Sequence, residues 1–333
     1  MVSVCVINHN YARYVGNAVE SALAQSDVEV EVVVVDDGST DDSRDVIGRY
    51  RDRAVVHFKS NGGQASAMNA AFKASSGDIA LFLDADDELL PGACRRVADA
   101  FAREVDGVPV AKVQWRLETV DSDGVATGEV RLPWRWPMPS GDLSHHVGKF
   151  RTWVWPPSSG GAYRRRALDL IGPIPEAAYR VEADRYLSQY IPFCGAIASI
   201  DTVLGRYRVH GANNYAGRAA DAAFFRSKIA RTIGDHDGVV AFARAQGITI
   251  PADVFQPRDA SFLGYRLASL RLEQELHPIA HDRRAALVRD GVVATLTNRM
   301  LPQRHRVRRA AWFVLMGAAP RRFTPSIVRR LYG

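Results

Sequence analysis

The chain contains few cysteines and no long apolar run, and both shortages narrow the class of protein. Cys5, Cys94 and Cys194 are far apart in the 333 residues, so they form neither a metal-type pair nor a disulfide framework. No run approaches the roughly 18 apolar residues of a membrane span. Residues 2–7 already form a strand-like run, and neither a basic N-terminal region nor a cleavage site is present, so we expect no signal peptide. We therefore expect a cytoplasmic globular protein.

Two common nucleotide-binding patterns are also missing. No Gly-x-Gly-x-x-Gly fingerprint follows the first strand-like run, and no Gly-x-x-x-x-Gly-Lys-Ser/Thr sequence occurs anywhere. These absences argue against a dehydrogenase and against a P-loop enzyme.

Acidic residues are absent from the last part of the chain. Between Gly291 and Gly333 there is no aspartate or glutamate, whereas the whole protein carries a net charge of +6. The nine arginines of this segment are Arg299, Arg304, Arg306, Arg308, Arg309, Arg321, Arg322, Arg329 and Arg330. The positive charge is therefore concentrated at the C-terminal end.

The sequence does contain a short apolar run that ends in carboxylates. Ile79–Leu83 suits a strand buried on both faces, although so short a run also fits a buried helix. Asp84, Asp86, Asp87 and Glu88 follow within five residues. These carboxylates repel one another unless a cation or hydrogen-bond donors meet them. At a strand end, the expected occupant is a divalent metal carrying a phosphate. The structural alternative is an acidic helix N-terminus.

Strand-like and helix-like periods alternate over the first third of the chain. The predicted strands are 2–7, 28–35, 55–59 and 79–83, and the predicted helices are 14–26, 43–50 and 65–75. This alternation predicts an α/β fold with a parallel sheet. The loops after three strands carry Asn8 and His9, Asp36 and Asp37, and the acidic cluster. We expect the nucleotide at that edge of the sheet.

A series of motifs, in the same order, resembles the family 2 glycosyltransferases of GT-A fold. The motifs are 2–11, 35–41, 61–69, 83–87, 160–172 and 207–213. The resemblance covers about residues 1–215 and implies a GT-A type, mostly parallel sheet flanked by helices. It also implies a metal-dependent, inverting transfer of a sugar from a nucleoside diphosphate donor, UDP-linked, to a hydroxyl. The implied acceptor is a cell-surface or secreted glycan, including a lipid-linked one.

The resemblance implies a nucleotide-binding role for three residues outside the acidic cluster. Asp37 matches the aspartate that accepts a hydrogen bond from the nucleobase. His9 stands where an aromatic side chain usually stacks on the base, and its smaller ring stacks less strongly. Asn61 belongs to the Asn-Gly-Gly motif of the same nucleotide site.

The resemblance also implies a metal site. Asp84 and Asp86 match the Asp-x-Asp pair that holds the ribose and a Mn²⁺ or Mg²⁺ ion bridging the diphosphate, and Asp87 is able to replace one of them. Such hard cations favour carboxylate and phosphate oxygens. His210 matches a histidine that reaches the metal or the pyrophosphate. The alternative for His210 is a structural histidine.

The catalytic base follows from the register of a later segment. An inverting transferase needs a carboxylate that takes the proton of the acceptor hydroxyl. The family supplies it from an acidic pair, usually Glu-Asp, at a helix start. Here Asp184 stands three residues before Leu187, as the family's base does, and its acidic partner is Glu182, with Ala183 between them. We expect Asp184 to be the base and Glu182 the alternative, unless both acids merely cap the helix.

Two features offer weaker candidates for diphosphate or acceptor contact. Arg164 and Arg165 suit an anion, or else are surface charges. Trp155, in a Trp- and Pro-rich connection, suits an acceptor lip, or else packs in a connection across the sheet.

Residues 216–333 are expected to form a mainly helical region. Ala219–Thr232 and Ala260–Leu276 show helical spacing, as in a small bundle. Within 304–322, the apolar segment 310–316 is flanked by arginines and suits contact with an anionic membrane at its inner face. The alternative is a core helix with solvated ends. No recognition motif accompanies the arginines, so we expect no nucleic acid.

Two other functions compete with the transferase. A sugar nucleotidyltransferase shares a similar sheet, but it would show a Gly-rich, basic first loop. A membrane-docked protein without turnover would keep the fold, and the altered acidic pair leaves that alternative open.

Overall fold

The computed structural model describes residues 1–211, 220–255 and 258–332, and these residues form two compact units. The first unit comprises 1–134, 138–143 and 155–211. The second comprises 135–137 and 144–154 together with the described residues after 219. The two inserted segments of the second unit carry no sequence signal that assigns them to it. Ala212 and Asn213 of the closing motif, and Ala219 of a predicted helix, lie outside the described residues.

The first unit is built on one mixed sheet. Its strands in the described residues are β1 (Val2–Asn8), β2 (Val30–Asp37), β3 (Val55–Lys59), β4 (Ile79–Asp84), β5 (Glu88–Leu89), β6 (Glu104–Val105), β7 (Val108–Val120), β8 (Ala126–Arg131), β9 (Gly161–Arg164) and β10 (Ala196–Arg208). The strand order is β3-β2-β1-β4-β9-β7-β10-β5, and β6 and β8 pair with β7. The α/β fold class is confirmed.

The N-terminal half of the sheet is parallel, as the alternating pattern predicts. β1 pairs in parallel with β2 and β4, and β2 pairs in parallel with β3. All seven residues of β1 are buried, which explains why apolar residues dominate this strand. Because the chain runs the same way in all four strands, the loops after β1, β2 and β4 meet at one edge.

The other half of the sheet was not predicted. β7 and β10 have 13 residues each and pair in parallel, while β9 runs antiparallel between β4 and β7. β7 places Lys112, Gln114 and Arg116 among its fully buried positions. These polar side chains interrupt the apolar run by which a buried strand is recognised in a sequence.

Six helices of the first unit flank this sheet among the described residues. They are α1 (Val15–Leu23), α2 (Ser43–Gly48), α3 (Gln64–Ala74), α4 (Ala93–Phe101), α6 (Arg165–Ile171) and α7 (Ala183–Tyr190), while α5 (Ser144–Phe150) belongs to the second unit. Short 3₁₀ turns occur at Ser158–Gly160 and Ile191–Phe193.

The second unit is helical, as expected for the C-terminal region. Beside α5, its helices are α8 (Ala222–Ala245), α9 (Ala260–Leu272), α10 (Arg284–Thr297), α11 (Gln303–Ala318) and α12 (Thr324–Tyr332), with 3₁₀ turns at Gln274–Leu276 and Arg321–Phe323. Its core includes Phe225, Leu267 and Phe313. A Cβ atom on Gly291 would lie 2.2 Å from the Phe313 ring, so glycine permits the close packing of α10 on α11. In the ranges that the structure describes, no helix has both the length and the apolarity of a bilayer span.

Candidate active site

The acidic cluster occupies the loop between β4 and β5. Asp84 is the last residue of β4, and Asp86 and Asp87 are buried in the turn that follows. The Ala85 N–H donates to the Ile7 carbonyl of β1, and the Asp84 N–H donates to the Ser159 hydroxyl. The cluster is therefore fixed by backbone contacts at the carboxyl edge of the sheet.

His210 joins the cluster from the end of β10. Its Nε2 lies 3.0 Å from Asp86 Oδ2, and its side chain is 6% exposed. The ring stacks on Tyr14, with centroids 5.0 Å apart, and meets Tyr11 edge-on at 5.4 Å. The structure thus brings together two residues that are 124 positions apart in the sequence.

Arg208 donates several hydrogen bonds to the acidic loop. Its backbone N–H donates to Asp87 Oδ1 at 2.9 Å, and its Nε donates to the Asp86 carbonyl at 3.0 Å. Its Nη2 pairs with Glu88 at 2.5 Å, and the guanidinium lies 5.0 Å from the centre of the Tyr14 ring. Arg208 is 2% exposed, so its charge offsets part of the negative charge of the loop inside the protein.

Burial and mutual repulsion make the carboxyl groups of the cluster hard to ionise. Burial, with the nearby charges of Asp86 and Asp184, raises the pKa of Asp84 to about 8. Burial also raises the pKa of Asp86, against the opposing effect of His210, and that of Asp87 is raised well above its usual value. Among the described residues, the nearby positive charges do not offset these carboxylates, which is the condition that a cationic ligand relieves.

Asp37 lies at the end of β2 and ties two loops together. Its Oδ1 accepts from Lys59 Nζ at 2.7 Å and from the Gly62 N–H at 2.9 Å, and its Oδ2 accepts from the Gly63 N–H at 2.7 Å. Asn61 Nδ2 donates to the Asp37 carbonyl. A nucleobase would have to share the Asp37 carboxylate with these donors.

Asp184 is placed in the first turn of α7 by contacts with α3. The Gln64 N–H donates to the Arg180 carbonyl at 2.9 Å, and Gln64 Oε1 accepts from the Ala183 N–H at 3.0 Å. Glu182 precedes the helix in a left-handed conformation with φ 66° and is buried. Burial raises the pKa of Asp184, and the charge of Lys112 lowers it.

Lys112, on β7, interacts electrostatically with this acid. It is 1% exposed, and its Nζ lies 5.2 Å from the centre of the Tyr163 ring. Burial lowers the pKa of Lys112 to about 7, while Asp184 acts in the opposite sense. Asp184 also raises the pKa of the buried Tyr163 hydroxyl, after the larger effect of burial. The pKa of Asp184 is thus lowered by a lysine that itself loses its charge near pH 7.

The arginine candidates lie elsewhere. Arg164 pairs with Ile79, the first residue of β4, whereas Asp84 is the last. Arg164 donates to the Phe101 and Val110 carbonyls, and Arg165 donates to the Gly77 carbonyl and the Ser75 hydroxyl. The structure therefore does not bring these arginines to the acidic cluster, and we leave them out of the site.

Two predicted residues, His9 and Trp155, remain. His9 is exposed in the loop after β1. Trp155 is half-buried and lies just before the turn Ser158–Gly160, in which Ser159 contacts Asp84. Beside His210 there is a cavity of about 370 Å³ whose walls include Tyr11, Arg13 and Asp41.

Sequence reasoning gave no role to Tyr11, Tyr14, Lys59, Lys112 or Arg208. Tyr11 and Arg208 stand inside motifs that the sequence analysis used, so their positions were visible although their contacts were not. Lys112 has no local signal, because its electrostatic interaction with Asp184 joins residues that are far apart in the sequence.

Comparison with known proteins places the chain in a family. The model of the family described as Glycosyl transferase family 2 matches residues 3–170. A Nostoc sp. (strain PCC 7120) protein described as uncharacterized glycosyltransferase alr2836 is 37% identical over 224 residues, which are 66% of this chain and 68% of that protein. The Escherichia coli protein UDP-Glc:alpha-D-GlcNAc-diphosphoundecaprenol beta-1,3-glucosyltransferase WfaP is 37% identical over 89 residues, which are 26% of this chain and only 36% of that protein.

A solved structure has a similar fold. S. aureus TarS 1-349, in complex with UDP-GlcNAc, matches 99% of this chain and 91% of that chain with a TM-score of 0.57 and 16% identity. The family match and the fold define a glycosyltransferase of GT-A type. The chain belongs to glycosyltransferase family 2.

Proposed function

We propose that this glycosyltransferase moves a sugar, with inversion, from a UDP-linked donor to a hydroxyl of a cell-surface or secreted glycan. The observation that supports this proposal most is that the charges of Asp86, in the turn after β4, and of Asp184, in α7, both add to burial in raising the pKa of Asp84, the last residue of β4. A donor-side acid cluster and a candidate base thus lie within electrostatic range of each other, as a single displacement requires.

The residues fit a divalent metal. Asp84 and Asp86 would supply hard oxygen ligands, burial and like charge disfavour their ionisation among the described residues, and His210 Nε2 lies 3.0 Å from Asp86 Oδ2. Among the described residues, no three His, Cys, Asp or Glu side chains form a preformed metal cage. This suits Mn²⁺ or Mg²⁺ held by one or two carboxylates and completed by substrate phosphates. When bound, the ion would neutralise the departing diphosphate.

In the proposed reaction, the acceptor hydroxyl oxygen attacks the anomeric carbon as the bond to the diphosphate oxygen breaks. The hydroxyl proton passes to Asp184, whose raised pKa suits a base. Glu182, in the N-cap position, is the alternative base. Asp37 and Asn61 would hold the nucleobase side of the donor, and His9 would stack on it. We assign the transferase to residues 1–215 and a separate region to 216–333.

The acceptor is proposed to be lipid-linked and the protein to act at the inner face of an anionic membrane. The E. coli relative is named for a diphosphoundecaprenol-linked acceptor. On α11, Val307, Val314 and Leu315 are 58%, 52% and 46% exposed. Their spacing of seven and eight residues places them on one face of the helix, and exposed arginines lie at both of its ends within 304–322. Such a face suits the headgroup region of a membrane.

Release of UDP from a panel of UDP-sugars tests the function. We expect release from one donor in the presence of Mn²⁺ or Mg²⁺, a faster rate with a glycan acceptor, and loss of both with a chelator. Pyrophosphate release from a nucleoside triphosphate and a sugar phosphate would instead favour a sugar nucleotidyltransferase. Absence of any turnover would favour the non-catalytic alternative.

A further inference from the structure

A second cavity, in the helical unit, is lined by three arginines. It has a volume of about 610 Å³, and its walls include Arg271, Arg284 and Arg321. We call it the arginine pocket. Its volume falls within the range of about 300–1,000 Å³ typical of small-molecule sites.

The three guanidinium groups have no carboxylate partner within the described ranges. Arg271 Nη2 donates to the Ala319 carbonyl at 2.5 Å and to the Thr324 hydroxyl at 3.3 Å. Arg321 Nε donates to the Arg271 carbonyl at 3.1 Å. These neutral acceptors leave the positive charges uncompensated, and the charges of Arg284 and Arg321 add to burial in lowering the pKa of Arg271.

Arg271 is a buried arginine whose charge has no acidic partner among the described residues. It is 7% exposed, and its Nε is buried without a hydrogen-bond partner in the described parts of the chain. A buried charged donor that lacks a partner is costly. A ligand anion in the pocket would offset part of that free-energy cost by balancing the guanidinium charge.

The position of Arg284, at the start of a helix, also favours an anion in the pocket. It is exposed and is the first residue of the 14-residue helix α10, which has no acidic residue in its first turn and no side-chain cap. A cation at the positive end of a helix dipole is unfavourable. The same position favours a bound anion, which would also contact unpaired backbone N–H groups.

One carboxylate also lines the pocket, but its charge is already balanced. Asp282 accepts from both Arg266 and His277. Its pKa lies below the usual range, chiefly because the hydrogen bonds from His277 and Arg266 outweigh the effect of burial. Asp282 therefore remains ionised within its own ion pair.

We propose that the arginine pocket binds a phosphate-bearing anion, either a soluble diphosphate or the phosphorylated headgroup of a lipid. Arginine matches phosphate oxygens through paired N–H donors. The proposal does not depend on the transferase site, which belongs to the other unit.

The test compares Arg284→Gln with Arg283→Gln in the full chain. Both variants remove one positive charge from an exposed, adjacent position, but Arg283 does not line the pocket. Calorimetric titration with pyrophosphate, under a metal chelator, measures the soluble arm. Flotation with phosphatidylcholine vesicles, with and without phosphatidate, measures the lipid arm.

We expect Arg284→Gln to weaken binding about tenfold or more, as loss of a charge-assisted hydrogen bond predicts, in at least one arm. Arg283→Gln should bind nearly as the wild type does. A loss confined to pyrophosphate would identify a soluble ligand, and a loss confined to phosphatidate vesicles a lipid headgroup. Equal behaviour of the two variants in both arms, or no binding by the wild type, would overturn the proposal.

Discussion

At the scale of single residues, the proposed chemistry depends on which acid faces the acceptor. Asp184 lies in the first turn of α7, where Lys112 tunes its pKa, and Glu182 lies in the left-handed turn before that helix. Two acids two positions apart therefore occupy different backbone conformations. Only one of them is expected to take the proton.

Replacement of the base separates turnover from binding. We expect Asp184→Asn to lower kcat by about 10²–10⁴-fold, the usual contribution of a general base, and to leave donor affinity nearly unchanged. Glu182→Gln is the matched control and should keep most of the activity. If Glu182→Gln loses turnover and Asp184→Asn retains it, the two roles are reversed.

The pH dependence tests the part played by Lys112. The base must be ionised, so activity should rise with pH through the pKa of Asp184. Because the positive charge of Lys112 lowers that pKa, Lys112→Met should shift the acidic limb of the kcat profile to higher pH. The shift depends on the charged lysine, which is present below pH values of about 7.

The control for this shift is Lys73→Met, which removes an exposed lysine of α3. That variant should keep the wild-type pH profile. An unchanged profile in Lys112→Met would mean that Lys112 has only a structural role.

At the scale of secondary-structure elements, two loops are held in close contact. Gly63 has a φ of 88°, and a Cβ atom added there would lie 2.7 Å from the Arg180 Cα atom. The Gly63 N–H also donates to Asp37. The position of α7 and that of the proposed nucleobase site are thus coupled through one glycine.

We expect Gly63→Ala to lower stability and to raise the KM for the donor. Gly172→Ala is the matched control, because Gly172 has a similar φ of 77° but no atom within 4 Å of an added Cβ. Backbone strain alone costs about 1–3 kcal/mol in both variants. Only Gly63→Ala should add the effect on KM, and equal kinetics in the two variants would remove the coupling.

The N-terminal strands and helices could be predicted from the sequence, whereas β7 and β10 could not. β1 to β4 and α1 to α3 follow from apolar runs and helical spacing, and their motifs place Asp37, Asp84 and Asp86 at one sheet edge. β7 and β10 were missed because Lys112, Gln114 and Arg116 break the pattern of β7. The positions of His210 and Lys112 relative to the acids depend on long-range strand pairing, which no local pattern encodes.

At the scale of the whole molecule, the positive charge and the exposed apolar face of α11 occur together. We expect the protein to bind anionic vesicles and to dissociate as salt is raised, since surface charges are screened. Leu315→Gln should weaken this binding, whereas Leu276→Gln, which replaces a more exposed leucine outside α11, should not. Vesicle co-sedimentation measures both variants, and equal binding would contradict a role for the α11 face.

The central claim is that the acid cluster at the end of β4 binds the nucleoside diphosphate of the donor with a metal ion. Calorimetric titration of UDP, GDP and dTDP, with and without Mn²⁺, on the wild type and on Asp86→Ala tests it most directly. We predict tight binding of UDP that requires Mn²⁺ and is lost in Asp86→Ala. Metal-independent UDP binding that survives in Asp86→Ala, or binding of none of the three nucleotides, would contradict the claim.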